Sequence, residues 1–406
     1  MEDVLPSAGD PWCGVGRPPT AAYKETKAQQ RATGVGGVRY AHIAWFRADA
    51  TLNVHIALRI LNLAERMHHS AQTALIYSVL TSIAGAIPAH ALARRYRDLA
   101  LEGATLAAEP GISSQVLLFV SLYQGGLGDW TSCIERVAQA EALAREIGDV
   151  RRAEECMVIS GYLHLHTGDI TGAQKFYEAA ATSARKRGDR QTTSWGLLGM
   201  ARVMLVLGRP ESALAALAEA APSVTDSLGG IELHGINALA HLRTRQFEQA
   251  WQAARAGLRL LRESRPVSLT TLTGSAGVTE TLIALWVHAR GGVAVDRADV
   301  LKREARRALG LLGQFARIFP IGRARWHLQR GHYALADGRS AAALECWQKS
   351  ADAAAAMSMP LDEALAWLEI SRHGAGAPAA LARAHAEALF EKLGAAEPAP
   401  PYPTFG

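Results

Sequence analysis

The stretch Gly168–Ala180, with the sequence GDITGAQKFYEAA, carries the pattern that decides the fold. It starts with a Gly-Asp turn and continues as a helix on which Ala173, Tyr177 and Ala180 fall on one side, because residues three and four apart share a helix face. Small residues around one large residue are typical of a helix that packs closely against a neighbour. The stretch therefore predicts one member of a helix pair.

The same turn and spacing recur along the chain. GDWTSCIERVAQA begins at Gly128, GRPESALAALAEA at Gly208 and GRSAAALECWQKS at Gly338, and a degenerate copy, RQFEQAWQAARAG, begins at Arg245. In the four glycine copies a small residue comes five positions after the glycine, and a larger apolar residue follows four positions later. Another, less regular pair can be placed around Gly291. The successive intervals from Gly128 are then 40, 40, 37, 46 and 47 residues, which fit one antiparallel helix pair with two short connections.

A further small residue precedes each turn by seven positions; these residues are Ser121, Gly161, Ala201, Ala238 and Gly331. The combined pattern resembles the tetratricopeptide repeat, whose first helix has a small residue at the matching place and whose second helix has an Ala, aromatic, Ala series. The resemblance implies an all-α fold, a right-handed superhelix of antiparallel helix pairs with about 40-residue spacing instead of the usual repeat of about 34. We assign residues 39–394 to this tetratricopeptide-like α-solenoid, 1–38 to a disordered or poorly packed segment and 395–406 to a Pro-rich tail.

Composition and charge narrow the classes of partner. Hydrophobic residues make up 49% of the chain and charged residues 20%, which is typical of a protein with a large core. The net charge of +5 is spread along the chain, so we expect no nucleic-acid partner. The uncharged stretch 71–89 approaches the length of a membrane span, but its polar residues and Pro88 favour a buried helix. We expect no membrane partner, and the N-terminus and scattered cysteines favour the cytoplasm.

The sequence does not combine residues into a recognisable catalytic or metal site. GVGRPPT at Gly14 lacks the lysine of a phosphate-binding loop, and no pair of metal-binding aspartates typical of a cyclase can be assigned. His164 and His166 are two residues apart on a predicted helix and point in different directions. We therefore predict no catalytic residues, no cofactor and no metal, and a protein that is not an enzyme.

Three stretches resemble one family region. ALRILNLAERM from Ala57, IPAHALARRYRDLAL from Ile87 and the segment 330–374 resemble the C-terminal helical region of large bacterial ATPase-linked class III adenylate or guanylate cyclases. In that group the helical array is a sensing or scaffolding arm, and the catalytic domains precede it. The resemblance implies a role in bacterial signalling, with a cyclase or ATPase module as a partner.

The candidate binding surface is the concave groove that first helices of stacked pairs create. Transferring the groove positions of the tetratricopeptide repeat selects Tyr162, His166, Trp195, Arg202, Arg243, Arg325 and His332. Arginine binds carboxylates through paired hydrogen bonds, so this set predicts an acidic or C-terminal peptide; the alternative is that these are ordinary solvated helix residues. We predict a non-catalytic protein- or peptide-binding scaffold in bacterial signalling or regulation, and alternatively the regulatory arm of a split or truncated ATPase-linked cyclase.

Overall fold

The computed structural model describes residues 70–293 and 295–398, together with five separate positions between residues 55 and 62. The predicted N-terminal segment 1–38 and the end of the predicted tail, 399–406, lie outside the described residues. Residues 70–293 and 295–398 form sixteen α-helices and no β-strand. The helices are α1 Ser70–Ala86, α2 His90–Ala107, α3 Pro110–Gly126, α4 Trp130–Glu146, α5 Val150–Thr167, α6 Ile170–Arg187, α7 Arg190–Val206, α8 Pro210–Ala220, α9 Ser227–Arg243, α10 Phe247–Glu263, α11 Leu272–His288, α12 Val295–Ile318, α13 Gly322–Ala336, α14 Ser340–Ala356, α15 Pro360–His373 and α16 Gly376–Leu393.

The helices pack as eight successive pairs, each odd-numbered helix against the even-numbered helix that follows it. The turn at Gly168 explains why the chain reverses at this point. Gly168 has a φ of +94°, a left-handed conformation that costs glycine little. The next residue, Asp169, accepts a hydrogen bond from the Gly172 backbone N–H at 2.8 Å and so caps α6. The Gly-Asp dipeptide thus ends one helix and begins the next.

Small residues on the odd-numbered helices make room for the large residue of the pair. Tyr177 and Trp347 are fully buried between the helices of their pairs. A Cβ placed on Gly161 would lie 2.8 Å from the Tyr177 ring, and one placed on Gly331 would lie 2.2 Å from the Trp347 ring. The spacing of small and large residues therefore sets how closely the two helices approach, as the sequence pattern predicts.

The array winds until its last pairs meet its early pairs. The Ile321 N–H donates to the Gly126 carbonyl at 3.5 Å, and the Trp130 indole N–H donates to the Met357 carbonyl at 2.6 Å. One hydrophobic cluster contains residues of α3 and α4 as well as Phe319 and Met359 from the other end. We call the space enclosed by the odd-numbered helices the lumen.

One connection enters the lumen. Residues 264–271 join α10 to α11, and this eight-residue segment carries the buried Leu269 at the start of a short 3₁₀ turn. The Leu269 carbonyl accepts a hydrogen bond from the Tyr162 hydroxyl at 2.8 Å. The longer interval between repeats in this region supplies the residues for this connection.

Helix α1 covers most of the uncharged stretch 71–89. Its buried Ser78 hydroxyl donates to the Leu75 carbonyl at 2.7 Å, and the Thr81 hydroxyl donates to the Tyr77 carbonyl at 2.8 Å. Across the part of the chain that the structure describes, none of the helices has both the length and the apolar character needed to cross a membrane.

Candidate functional site

All seven residues predicted for the groove lie on odd-numbered helices and line two cavities of the lumen. Helix α5 carries Tyr162 and His166, and α7 carries Trp195 and Arg202. The other three are Arg243 on α9 and Arg325 and His332 on α13. Because Arg202 lines both cavities, the two lie on either side of one side chain.

The first chamber is a cavity of about 150 Å³ between α3, α5, α7, α9 and the connection 264–271. Its wall is mainly apolar and aromatic, and the half-buried Trp195 forms one side of it. An Arg152–Glu155 ion pair adds charge at another side. The first chamber is lined by Leu118, Phe119, Leu122, Arg152, Glu155, Val158, Ile159, Tyr162, Trp195, Leu198, Arg202, Asp226, Leu228, Gly229, Glu232, Ser268 and Thr270.

The second chamber is a cavity of about 370 Å³, a volume within the roughly 300–1,000 Å³ of small-ligand sites. Residues of α5, α7, α8, α9, α11, α13, α15 and α16 line it, and the segment that follows α16 also contributes. Its charged and imidazole side chains are His166, Arg202, Arg243, Glu280, Arg325, His332, Asp362, Glu369, Arg372 and Glu397.

The ion pair between Arg202 and Glu232 lies between the two chambers. The Arg202 Nε donates to Glu232 Oε2 at 2.8 Å, and the backbone N–H of Gly274 donates to Oε1 at 2.6 Å. Arg202 also lies over the Tyr162 ring, with 5.8 Å from its guanidinium carbon to the ring centre. Burial opposes the charge on Arg202, but the Glu232 carboxylate raises the pKa of Arg202 above its ordinary value. Burial also raises the pKa of Glu232, but Arg202 and the Gly274 N–H oppose that shift, and these direct contacts favour the ionised pair.

Further polar contacts continue from one odd-numbered helix to the next and form what we call the polar ladder. Arg243 of α9 pairs with Glu280 of α11 at 2.6 Å, and the Gln329 amide of α13 donates to the same carboxylate at 3.4 Å. His332 of α13 lies 3.4 Å from Glu369 of α15. The polar ladder comprises Arg202, Glu232, Arg243, Glu280, Gln329, His332, Glu369, Arg325 and Asp362, the last two also being an ion pair between α13 and α15.

The carboxylates of the polar ladder change the charge that the sequence alone suggests for the groove. Each of the three predicted arginines has an acidic partner on the next odd-numbered helix. The sequence contains a signal for one of these partners. Glu280 lies 37 residues after Arg243, which is close to one repeat interval. We therefore describe the lumen as a surface of internal ion pairs instead of a positively charged groove.

His166 is a buried polar group whose Nε2 has no hydrogen-bond partner among the described residues. Burial, followed by the nearby Arg325 and Arg202, lowers the pKa of His166 to about 3, so its imidazole is neutral. His164 lies on another side of α5, where its Nδ1 is 2.8 Å from Asp169. Among the described residues no three His, Cys, Asp or Glu side chains converge as metal ligands would.

Two cysteines are buried in the cores of the early pairs. Burial raises the pKa of Cys133 and of Cys156 to about 12, so both thiols are protonated at neutral pH. A nucleophilic cysteine needs the thiolate, which these environments disfavour.

The helix pairs, their small-and-large packing and the enclosed lumen define a tetratricopeptide-like helical repeat protein. The structure is similar to that of a Rap protein solved in complex with the competence and sporulation factor, with a TM-score of 0.59 and 11% identity over 89% of this chain and 99% of that one. It is also similar to the apo form of the quorum sensor NprR from B. thuringiensis, with a TM-score of 0.51 and 12% identity over 92% and 99% of the two chains. No protein-family model and no curated protein sequence matches the chain. The predicted superhelical fold is confirmed.

Proposed function

We propose that this protein is a non-catalytic scaffold that binds a peptide in its lumen. The observation that carries the proposal is the polar ladder, a run of buried and half-buried polar contacts, three of them ion pairs, along the walls of two cavities. Burying ionised groups is costly, and apolar residues of similar size would often stabilise a core as well or better. Paired charges at a cavity wall have a use that apolar residues lack, since they offer hydrogen-bonding groups to a polar ligand.

The two chambers differ in the chemistry that they offer. The first, with Trp195 and its aliphatic neighbours, suits an apolar or aromatic side chain. The second, with arginines that are already paired with carboxylates and the neutral His166, suits the polar groups of a peptide backbone, and an acidic side chain binds there by displacing one of those carboxylates. We propose the seven groove residues as the walls that such a peptide contacts.

The structural neighbours support this class of function. One was solved in complex with the competence and sporulation factor, and the other is described as a quorum sensor. By analogy we propose that the ligand of this chain is a signal and that the protein acts in regulation. The buried, protonated Cys133 and Cys156 are consistent with a non-catalytic role.

A peptide-display selection against the purified chain tests the proposal. We expect peptides with an apolar side chain near an acidic one, and we expect Trp195→Ala to weaken their binding by roughly tenfold or more, since aromatic side chains dominate binding energy.

Trp251→Ala is the matched control for that test. Trp251 is also half-buried, but it lies on the even-numbered helix α10 and contacts Arg255 and Arg297 outside the two chambers. Equal weakening by both substitutions, or a selection that returns no binder, would contradict the lumen as the binding site.

The second candidate, a regulatory arm of an ATPase-linked cyclase system, is supported by the sequence resemblance over most of residues 40–393. In that case a cyclase or a P-loop ATPase should be encoded beside this chain and should copurify with it. Copurification of unrelated partners alone would count against this candidate.

A further inference from the structure

The segment after the last helix returns to the mouth of the second chamber. The Ala396 backbone N–H donates to the Val206 carbonyl at the end of α7 at 2.9 Å. Ala396 also lies beside the turn that follows α7, because a Cβ placed on Gly208 would be 2.8 Å from the Ala396 Cβ. The first residues of the tail are therefore held against α7, the first helix of the fourth of the eight pairs.

Glu397 connects this segment to the charged wall of the chamber. Its carboxylate lies 3.2 Å from Arg372 Nη2 and 2.9 Å from Arg383 Nη1. Arg372 Nη2 also donates to the Pro398 carbonyl at 2.6 Å, and its Nη1 donates to Glu369 at 2.9 Å. Through Glu369, the polar ladder continues to Arg372 and ends at Glu397.

Glu397 differs from the other carboxylates of the second chamber in how it is held. The side chains of Glu280, Asp362 and Glu369 are 8%, 3% and 6% exposed and belong to packed helices. The side chain of Glu397 is 34% exposed and lies on a segment without helical hydrogen bonds. Pairs of this exposure contribute little stability, so the contact can exchange.

We propose that Arg372 and Arg383 form a carboxylate subsite at the mouth of the second chamber, that Glu397 occupies it in the unliganded chain, and that an acidic side chain of an incoming peptide displaces Glu397. The last step rests on the proposed function. The occupation of the subsite by Glu397 does not, because it concerns only contacts within this chain.

Hydrogen exchange at the Ala396 amide tests the internal contact in the full chain. Glu397→Gln keeps the size of the side chain and removes its charge, so the amide of Ala396 should exchange roughly two- to fivefold faster as the segment opens more often. Glu345→Gln is the matched control, because it removes an exposed carboxylate whose ion pair is with Lys349 of the same helix, α14, instead of with Arg372 or Arg383. Equal protection of Ala396 in wild type and Glu397→Gln would overturn the proposal.

A peptide added in trans tests the subsite itself. The probe is a fluorescent peptide of residues 395–406, AAEPAPPYPTFG, blocked at both ends so that its glutamate is its one carboxylate. It should bind Glu397→Gln roughly two- to fivefold more tightly than wild type, since the open fraction of the site is larger by that factor. Replacing the glutamate of the probe by glutamine, or adding Arg383→Gln to the variant, should abolish this gain.

The outcomes separate the two proposals. Equal affinity of the probe for wild type and Glu397→Gln, or no binding to either, overturns the carboxylate subsite even if selected peptides bind near Trp195. Faster exchange at Ala396 together with tighter binding of the probe to Glu397→Gln supports the subsite even if the peptide-display selection returns no binder.

Discussion

Breaking the ion pair between Arg202 and Glu232 should destabilise the protein far more than removing the whole pair. Arg202→Met leaves the Glu232 carboxylate, whose side chain is 3% exposed, with only the Gly274 N–H as a described partner. Glu232→Gln leaves the Arg202 guanidinium, 7% exposed, without its carboxylate. Each single substitution should lower the free energy of unfolding by about 3–5 kcal/mol, because it leaves an uncompensated buried charge.

The double variant Arg202→Met with Glu232→Gln should recover most of that loss. It contains no buried charge at this place, and the amide oxygen that replaces the carboxylate can still accept from Gly274. Its cost should be about 1–2 kcal/mol for the lost hydrogen bonds and packing. By these figures the coupling energy between the two positions should be at least about 4 kcal/mol in magnitude.

Urea unfolding followed by circular dichroism measures the four variants of this cycle. The matched control is the pair Arg185 and Glu219, which joins the even-numbered helices α6 and α8 and has both side chains more than half exposed. The same two kinds of substitution there should give a coupling below about 1 kcal/mol. A coupling for Arg202 and Glu232 as small as the control value would refute the description of the pair as buried and tightly coupled.

Two further predictions concern the packing and the titration of the lumen walls. Gly235→Ala should lower the free energy of unfolding by about 3 kcal/mol in urea titrations, because the added Cβ would lie 2.0 Å from the Gly274 carbonyl oxygen of the adjacent α11. The control is Gly310→Ala, at an exposed place in α12 where the added Cβ has no neighbour within 4 Å. This control should raise the free energy of unfolding by about 0.5–1 kcal/mol. The pKa of His166 is lowered to about 3 in the folded chain, whereas the ordinary value is 6.5. As the pH falls below 6.5, His166 therefore binds a proton in the unfolded chain but not in the folded chain. His166 should therefore lower the free energy of unfolding by about 2 kcal/mol when the pH is changed from 7 to 5. Urea titrations at both pH values should show that His166→Leu does not have this part of the pH-dependent decrease.

The helix pairs could be predicted because their determinants are local. The Gly-Asp turn at Gly168 and the small-and-large pattern of Ala173 and Tyr177 act within about 40 residues, and the pattern recurs. The steric relation between Gly161 and Tyr177 follows from the same spacing. A repeat of this kind determines each pair and the contact to the next one.

The walls of the lumen could be predicted in part. The seven groove residues follow from the repeat register, and all seven line the two chambers. Their acidic partners were not predicted, although the spacing of Arg243 and Glu280 by about one repeat is visible in the sequence. Arg372, Arg383 and Glu397 were also missed, since nothing local indicates that the tail returns to α7.

The sequence by itself determined an all-α array of tetratricopeptide-like pairs and which helix faces point inward, because both depend on side chains that are close along the chain. Only the tertiary structure decided that the array closes on itself, that Leu269 enters the lumen, and that the inward charges are paired between neighbouring odd-numbered helices. These features depend on the small rotation from each pair to the next, which accumulates over eight pairs and is encoded in no single repeat.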